Sequence, residues 1–332
     1  MGIISFCGVR GETGRAERRY GLVVITPEQA VDAINERFGA HAGHRALHAK
    51  GVLCRGAFTA TPEAGALSRA AHMQGEAVPA TVRFSNGSGD PGSPDYAPDV
   101  RGMATKLYLA DGSRTDIVAQ TAPRFPTRTP DGFIEFVRAM TPGPSQLWKL
   151  PIFLARHPEA LAGLRANSVA LKPPASYATC RYYAIHAFRW IDGNRRERYV
   201  RYRWLPEAGD ESLSRGEAKN RGRDYLQEEI TARLERQPVR FGLELQLASE
   251  EDDVNDPTEP WRGDRETILG GTLELTELET ERETGGDILV FDPTRVTGGI
   301  ELSDDPILQF RAPAYSVSIE RRSGVSPDSP PD

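Results

Sequence analysis

"VRFGLELQLA", residues 239–248, decides the fold. Val239, Phe241, Leu243, Leu245 and Leu247 hold every second position, with Arg240, Glu244 and Gln246 between them. A period of two sends the apolar set to one face of a strand and the polar set to the other, as in an antiparallel sheet with one face buried. "RYVRYRWL" (198–205) repeats the pattern, with Val200, Tyr202 and Trp204 on one face and Arg201 and Arg203 on the other. Working outward, strand-like runs extend from Lys50 to about Thr61 and over "VPATVRFS" (78–85), "GMATKLYLA" (102–110) and "TILGGTLELTEL" (267–278). Helical signals are fewer. "TPEQAVDAINERFG" (26–39) has Thr26 as N-cap, Pro27 in the first turn and Gly39 just past the end. "PDGFIEFVRAM" (130–140), "PSQLWKLPIFLARHPEALAGLRA" (144–166) and the amphipathic "RDYLQEEITARLERQ" (223–237) also read as helical. About eight strands with few intervening helices predict an α+β fold, a closed eight-stranded antiparallel β-barrel with helices packed around it. No repeat or linker divides the chain, so residues 1–322 are expected to form one domain with its core from about residue 41. "SGVSPDSPPD" (323–332), rich in Pro and Ser without periodicity, is expected as a disordered tail.

Composition narrows the function. The 332 residues are 39% hydrophobic and 27% charged, ordinary for a globular protein able to bury a large core. A net charge of −6 argues against a nucleic-acid partner, which favours a basic face. No apolar run approaches the roughly 18–20 residues needed to span a bilayer. The N-terminal "MGIISFCGVRGETGRAERR" lacks the basic leader and long apolar stretch of a secretory signal. Phe6 also breaks the myristoylation pattern, which requires Ser or Thr there. Cys7, Cys54 and Cys180 are odd in number and far apart, which suits structural thiols in a cytoplasmic protein.

Three of the six histidines fall between His41 and His48. His44 and His48 stand four apart, as in a helical HExxH zinc motif, but Arg45 occupies the position that needs a glutamate. Gly51 also opens a strand instead of continuing a helix. The wider context gives the cluster its meaning. "RALHAKG" (45–51), then "GAF" (56–58), "VRFSNGSGDPGSPDYAPDVRGMATKLYLADG" (82–112) and "DIVAQTAPRFPTRTPDGFIEF" (116–136) follow one another almost without gaps. "SYATCRYYAIHAF" (176–188), "FDPTRV" (291–296) and "LQFRAPAY" (308–315) complete the series. These blocks resemble the haem-catalase core in order, across about residues 41–322. The short chain is similar to the small catalase-related peroxidases, with no counterpart of the long N-terminal arm or C-terminal domain of larger catalases.

The resemblance implies haem b as cofactor and assigns a role to each matching residue. His48 matches the distal histidine, where a neutral imidazole near its reference pKa takes a proton from hydroperoxide and returns it to the leaving oxygen. Ser85 matches the serine that orients that ring. Gln120 stands where typical catalases carry a distal asparagine. Tyr315 matches the proximal iron ligand, and tyrosine as the haem ligand of catalase is general knowledge of the family. Arg311, one helical turn before it, favours the phenolate by its fixed charge. Arg45, Arg83 and Arg322 match the arginines that pair with the haem propionates, for which planar guanidinium suits carboxylate. Phe133 matches the aromatic that packs on the distal haem face. His41 and His44 match no role and read as surface residues. Of the NADPH site in large catalases only His186 has a counterpart, and a core histidine is the plainer reading.

Gly87 replaces a valine that narrows the main channel, and Gln120 alters the contacts of the peroxide. Both changes disfavour ordered dismutation of hydrogen peroxide. The expected activity is therefore a peroxidase that reduces organic hydroperoxides, and some hydrogen peroxide, through a ferryl intermediate. Its partners are a small-molecule hydroperoxide and an electron donor that the sequence does not name, and a homodimer is expected. Two alternatives stand beside it. One is an allene-oxide or epoxyalcohol-forming enzyme that rearranges hydroperoxides; the other is a non-enzymatic haem carrier or sensor.

Overall fold

The two alternating segments meet in register. Val200 pairs with Leu247, Tyr202 with Leu245 and Trp204 with Leu243, so both apolar faces enter the same core. On the opposite face Arg203 pairs with Glu244 and their side chains form an ion pair at 2.5 Å. Each strand thus supplies what the other requires on both faces. The computed structural model describes residues 25–144, 146–280 and 289–323.

Eight strands build the barrel: β1 (Gly51–Ala60), β2 (Val78–Asn86), β3 (Arg101–Tyr108), β4 (Arg114–Gln120), β5 (Tyr182–Ile191), β6 (Glu197–Pro206), β7 (Val239–Leu247) and β8 (Thr267–Leu278). Their order is β4-β3-β2-β1-β8-β7-β6-β5, every pairing is antiparallel, and the pair Gln120↔Tyr183 closes the ring. A ninth strand that the sequence did not suggest, β9 (Ile300–Leu302), adds to the edge of β5. The barrel is filled. Phe84 stacks on Tyr177 at 5.4 Å and meets Phe241 and Tyr182 at 6.0 Å, while Phe58 sets its edge against Trp204 at 6.0 Å. Aromatic pairs in these geometries add to the transfer energy of a packed interior.

Helices cover the outside: α1 (Pro27–Phe38), α2 (Pro62–Leu67), α3 (Pro130–Ala139), α4 (Gln146–Arg156), α5 (Pro158–Asn167), α6 (Arg215–Arg221), α7 (Tyr225–Leu234) and α8 (Pro306–Ser323). Thr26 caps α1 as its sequence predicts. Its hydroxyl accepts from the Gln29 N–H, and the Gln29 side chain accepts from the Thr26 N–H. A second apolar cluster joins Ala30, Ala33 and Ile34 of α1 to Ile134 and Val137 of α3, with Leu47, Phe133 and Phe310 packed against it. That cluster draws the segment before β1, helix α3 and helix α8 together on the outer wall of the barrel. Arg321 of α8 pairs with Asp32 of α1 at 2.6 Å and ties down the far end.

Ser323, the first residue of the expected tail, is the last residue of α8. Residues 324–332, Cys7 and the "MGIISF" stretch lie outside the described residues. Cys54 and Cys180 are buried. Among the described residues no helix is long and apolar enough to cross a membrane.

Candidate active site

The register of the sheet lines up Gly51, Ser85, Gly102, Gln120 and Tyr183 in one row across five neighbouring strands. Paired residues point to the same face. Phe84, Met103 and Ala119 beside them lie in the barrel core, so this row faces outward. Two glycines in the row leave a hollow, and the His48 imidazole occupies it. A Cβ on Gly102 would come within 2.7 Å of Ser85 Oγ and 2.8 Å of His48 Nδ1, so no larger residue fits there without moving one of them.

His48 precedes β1 in a turn-rich, non-helical segment, and its φ of 57° lies in the left-handed region. A non-glycine residue adopts that conformation at a cost when its surroundings fix it. Here its N–H donates to Gly87 O at 3.1 Å and its carbonyl accepts from Arg83 Nη1 at 2.9 Å. Its Nδ1 lies 3.0 Å from Ser85 Oγ. Burial first, then the charges of Arg83, Arg311 and Arg45, push its pKa down to about 3. The expected imidazole near its reference pKa is thus corrected: the ring is neutral throughout the physiological range. His44 is exposed and His41 binds the Phe38 carbonyl at 2.9 Å, so neither shares the hollow.

Arg311, Tyr315 and Arg322 stand at positions 0, 4 and 11 of one helix, α8, and so share a face over about 16 Å. Arg311 Nε and Nη2 both donate to Tyr315 Oη, at 2.9 and 2.5 Å. Its Nη1 reaches His186 Nε2 at 3.1 Å, and His186 Nδ1 lies 2.6 Å from Asp305 Oδ2. Arginine can only donate, so His186 accepts at Nε2 and carries its proton on Nδ1, toward the carboxylate. Burial lowers the His186 pKa against the pull of Asp305, which keeps that tautomer neutral. Sequence reading missed this Asp305–His186–Arg311–Tyr315 chain. The signal available was a histidine within the apolar run "YYAIHAF", where β5 slips register between Ala184 and Phe188. Asp305 also caps α8, its Oδ1 accepting from the Ile307 N–H at 2.8 Å. Asp305→Ala should therefore lower stability by roughly 2–4 kcal/mol, from a lost cap plus a stranded buried imidazole N–H. A denaturant midpoint close to that of the unsubstituted protein would show that the chain is not held as drawn.

Arg83 lies between the two halves of the site. Its Nη2 donates to the Ala49 carbonyl at 3.2 Å, and its charge reaches both His48 and Arg322. Arg322 Nε is buried without a hydrogen-bond partner among the described residues, and burial and Arg83 together pull its pKa down. Arg45 Nη2 donates to the Leu289 carbonyl at 2.8 Å. Phe133 of α3 packs on Phe125 with ring centres 4.9 Å apart. Among the described residues Gln120 Nε2 reaches the Ala122 carbonyl, at 3.4 Å. Register and charge bring His48, Ser85, Gln120, Arg45, Arg83, Arg311 and Arg322 to one stretch of outer wall, with Tyr315 held by Arg311 and Phe133 tied in through Leu47 and Phe310.

The catalase family model matches residues 11–329. The chain belongs to the catalase family. A protein of Mycolicibacterium paratuberculosis called catalase-related peroxidase is 50% identical over 301 residues, covering 91% of this chain and 96% of that one. A catalase-related peroxidase of Synechococcus elongatus is 30% identical over 326 residues, covering 96% and 95%. The catalase of Latilactobacillus sakei is 27% identical and is spanned over only 67% of its length. Catalase-family membership makes the chain a haem-dependent oxidoreductase of the peroxidase class.

The residues present fit haem, a flat apolar ring with two carboxylates. The orphaned Arg322 Nε beside Arg83 calls for an anion, Phe133 offers an aromatic surface, and the glycines keep the barrel wall low. A Cβ on Gly87 would meet Val100 Cγ2 at 2.6 Å and Asp99 Oδ1 at 2.7 Å, so a valine here would have to push both side chains aside. Gly87→Val should cost about 1–3 kcal/mol by overpacking and slow small and bulky hydroperoxides alike. A selective loss with cumene hydroperoxide, at unchanged melting temperature, would favour the channel reading.

Proposed function

We propose that this protein is a haem b peroxidase that reduces organic hydroperoxides with an external electron donor, and hydrogen peroxide less well. The observation that carries the reading is a neutral His48 imidazole fixed by Ser85, within reach of the charge of Arg311, which holds Tyr315 by two hydrogen bonds. Ferric haem, when bound, supplies the iron that polarises the peroxide and takes up its oxidising equivalents. Tyr315 would ligate that iron, with Arg311 holding its oxygen by two hydrogen bonds. Arg45, Arg83 and Arg322 would hold the propionates, and Phe133 would lie on the ring.

His48 then works through Nε2. In the tautomer with its proton on Nδ1, donated to Ser85 Oγ, the Nε2 lone pair is free to take the hydroperoxide proton and return it to the leaving oxygen. Gln120, on a side chain one methylene longer than asparagine, sits at the closing seam and would contact the peroxide less firmly. The two relatives called catalase-related peroxidase, each matched almost end to end, support a peroxidase over a dismutase. His48 argues against a haem carrier, which has no use for a base. The buried thiols Cys54 and Cys180 suit a cytoplasmic home.

The test is the specific activity of haem-reconstituted protein with a chromogenic donor. Cumene or tert-butyl hydroperoxide should be turned over faster than hydrogen peroxide is dismutated. Oxygen evolution at the rate of a true catalase would overturn the reading. Consumption of a polyunsaturated hydroperoxide without any donor would favour rearrangement instead.

A further inference from the structure

Among the described residues seven large apolar side chains are exposed, and six of them fall between positions 147 and 171. Leu147 is 86% exposed, Val169 65% and Trp148 58%, with Ile152, Leu161 and Leu171 beyond 40%. Helix α4 is apolar on two sides. Leu150, Phe153 and Leu154 pack inward with Phe136, Ala139 and Ala160, while Leu147, Trp148 and Ile152 face solvent. A helix apolar on both sides needs a cover on both.

The charge around this face identifies the cover. Residues 138–172 carry five basic side chains (Arg138, Lys149, Arg156, Arg165 and Lys172) and a single acid, Glu159, in a chain whose net charge is −6. Glu159 and the nearby Glu135 are each engaged by His157 at 3.3 Å, and Glu135 also lies 3.7 Å from Arg156. Exposed Leu, Ile and Trp rimmed by Lys and Arg match an anionic lipid surface. A second copy of the chain fits less well, because a two-fold contact here would set like charge against like.

We propose that the α4–α5 face docks on an anionic bilayer and draws hydroperoxides of membrane acyl chains to the site. The substrate half of this rests on the peroxidase reading; the docking half does not. Helix α3 links the face to the site: Phe136 meets Phe153 of α4 at 5.7 Å, and Phe133, one turn earlier, meets Phe125 at 4.9 Å.

Flotation with vesicles tests it. Full-length protein should float with equimolar phosphatidylglycerol–phosphatidylcholine vesicles, release as salt rises from about 50 to about 500 mM, and stay behind with pure phosphatidylcholine. Trp148 reports the contact, since Trp190, Trp204 and Trp261 are buried. Its emission should shift to the blue and be quenched by brominated lipid, and Trp148→Phe should lose the signal while still floating. Ile152→Glu and Arg156→Glu should each weaken binding by about tenfold. Failure to float with the anionic vesicles, or equal flotation with both compositions, overturns the docking. So does light scattering that shows a dimer broken by Ile152→Glu, which would place a second copy on this face. Turnover of cumene hydroperoxide in solution is measured separately. Its absence with intact flotation removes the peroxidase reading and leaves the docking, and the converse result removes the docking alone.

Discussion

His48→Ala slows peroxide-dependent turnover by about 10²- to 10⁴-fold with haem retained, and His44→Ala changes it by no more than a few-fold. The two histidines are four residues apart and chemically identical, so the difference comes from their surroundings. His44 is exposed, whereas His48 lies in the hollow above Gly102 with Ser85 on its Nδ1. Its pKa of about 3 carries a second expectation. The folded value is below the unfolded value of about 6.5, so the base form is complete above pH 4 to 5 and the rate shows no inflection near 6.5. The linkage has the matching sign. Between pH 6.5 and about 3 the unfolded chain takes up a proton here that the folded one refuses, so stability falls as pH falls through that window. Stopped-flow absorbance on the three proteins across pH 5–9 checks both statements. Equal losses in the two variants would return His48 to the surface cluster.

Tyr315→Phe removes the high-spin ferric spectrum of the reconstituted protein, by loss of haem on desalting or by a change of ligand type. The variant deletes the one oxygen on which Arg311 places two donors at 2.9 and 2.5 Å, which leaves Arg311, among the described residues, with His186 at 3.1 Å. Losing a partner inside a charged network costs more than losing a surface hydrogen bond, because the guanidinium remains partly buried. Arg311→Ala should move the spectrum in the same direction but less far, since the tyrosine oxygen itself survives. An unchanged spectrum and unchanged haem retention in Tyr315→Phe would remove this residue from the site.

The barrel was legible wherever one face of a strand is dry and the other wet. Val239 to Leu247 and Arg198 to Leu205 alternate because their inner residues fill the core and their outer ones meet solvent or each other. β4 and β5 did not stand out, and the reason is burial on both faces. Asp116 is enclosed on the outer side of β4 by Lys106 and Arg295, and β5 is buried over nearly its whole length with a register slip in its middle. Doubly covered strands lose the period of two. The site residues were legible only as blocks resembling a family, since nothing in a lone Arg or Phe announces a role. His186 was read as a core histidine, but its pairing with Asp305 escaped because the two lie 119 positions apart and meet through the fold. Gly87 makes a related point: a sequence shows which side chain is absent, but not that Val100 and Asp99 stand within reach of its place.

β1 forms its second pairing with a strand made much later, its Arg55 bonding Glu279 across 224 positions of chain. At roughly 5–20 residues per second, a ribosome needs on the order of 10–45 s to make that stretch. Until β8 exists, the β1 edge that it covers in the finished barrel lacks its own partner, and a bare edge of N–H and C=O groups is of the kind that recruits foreign strands. Arg55, exposed in the middle of that edge, is a charge of the type that keeps such an edge solitary until its own partner arrives. The residue that ties β1 to the end of β8 in the finished barrel thus also carries the kind of charge that discourages foreign strands on the same edge.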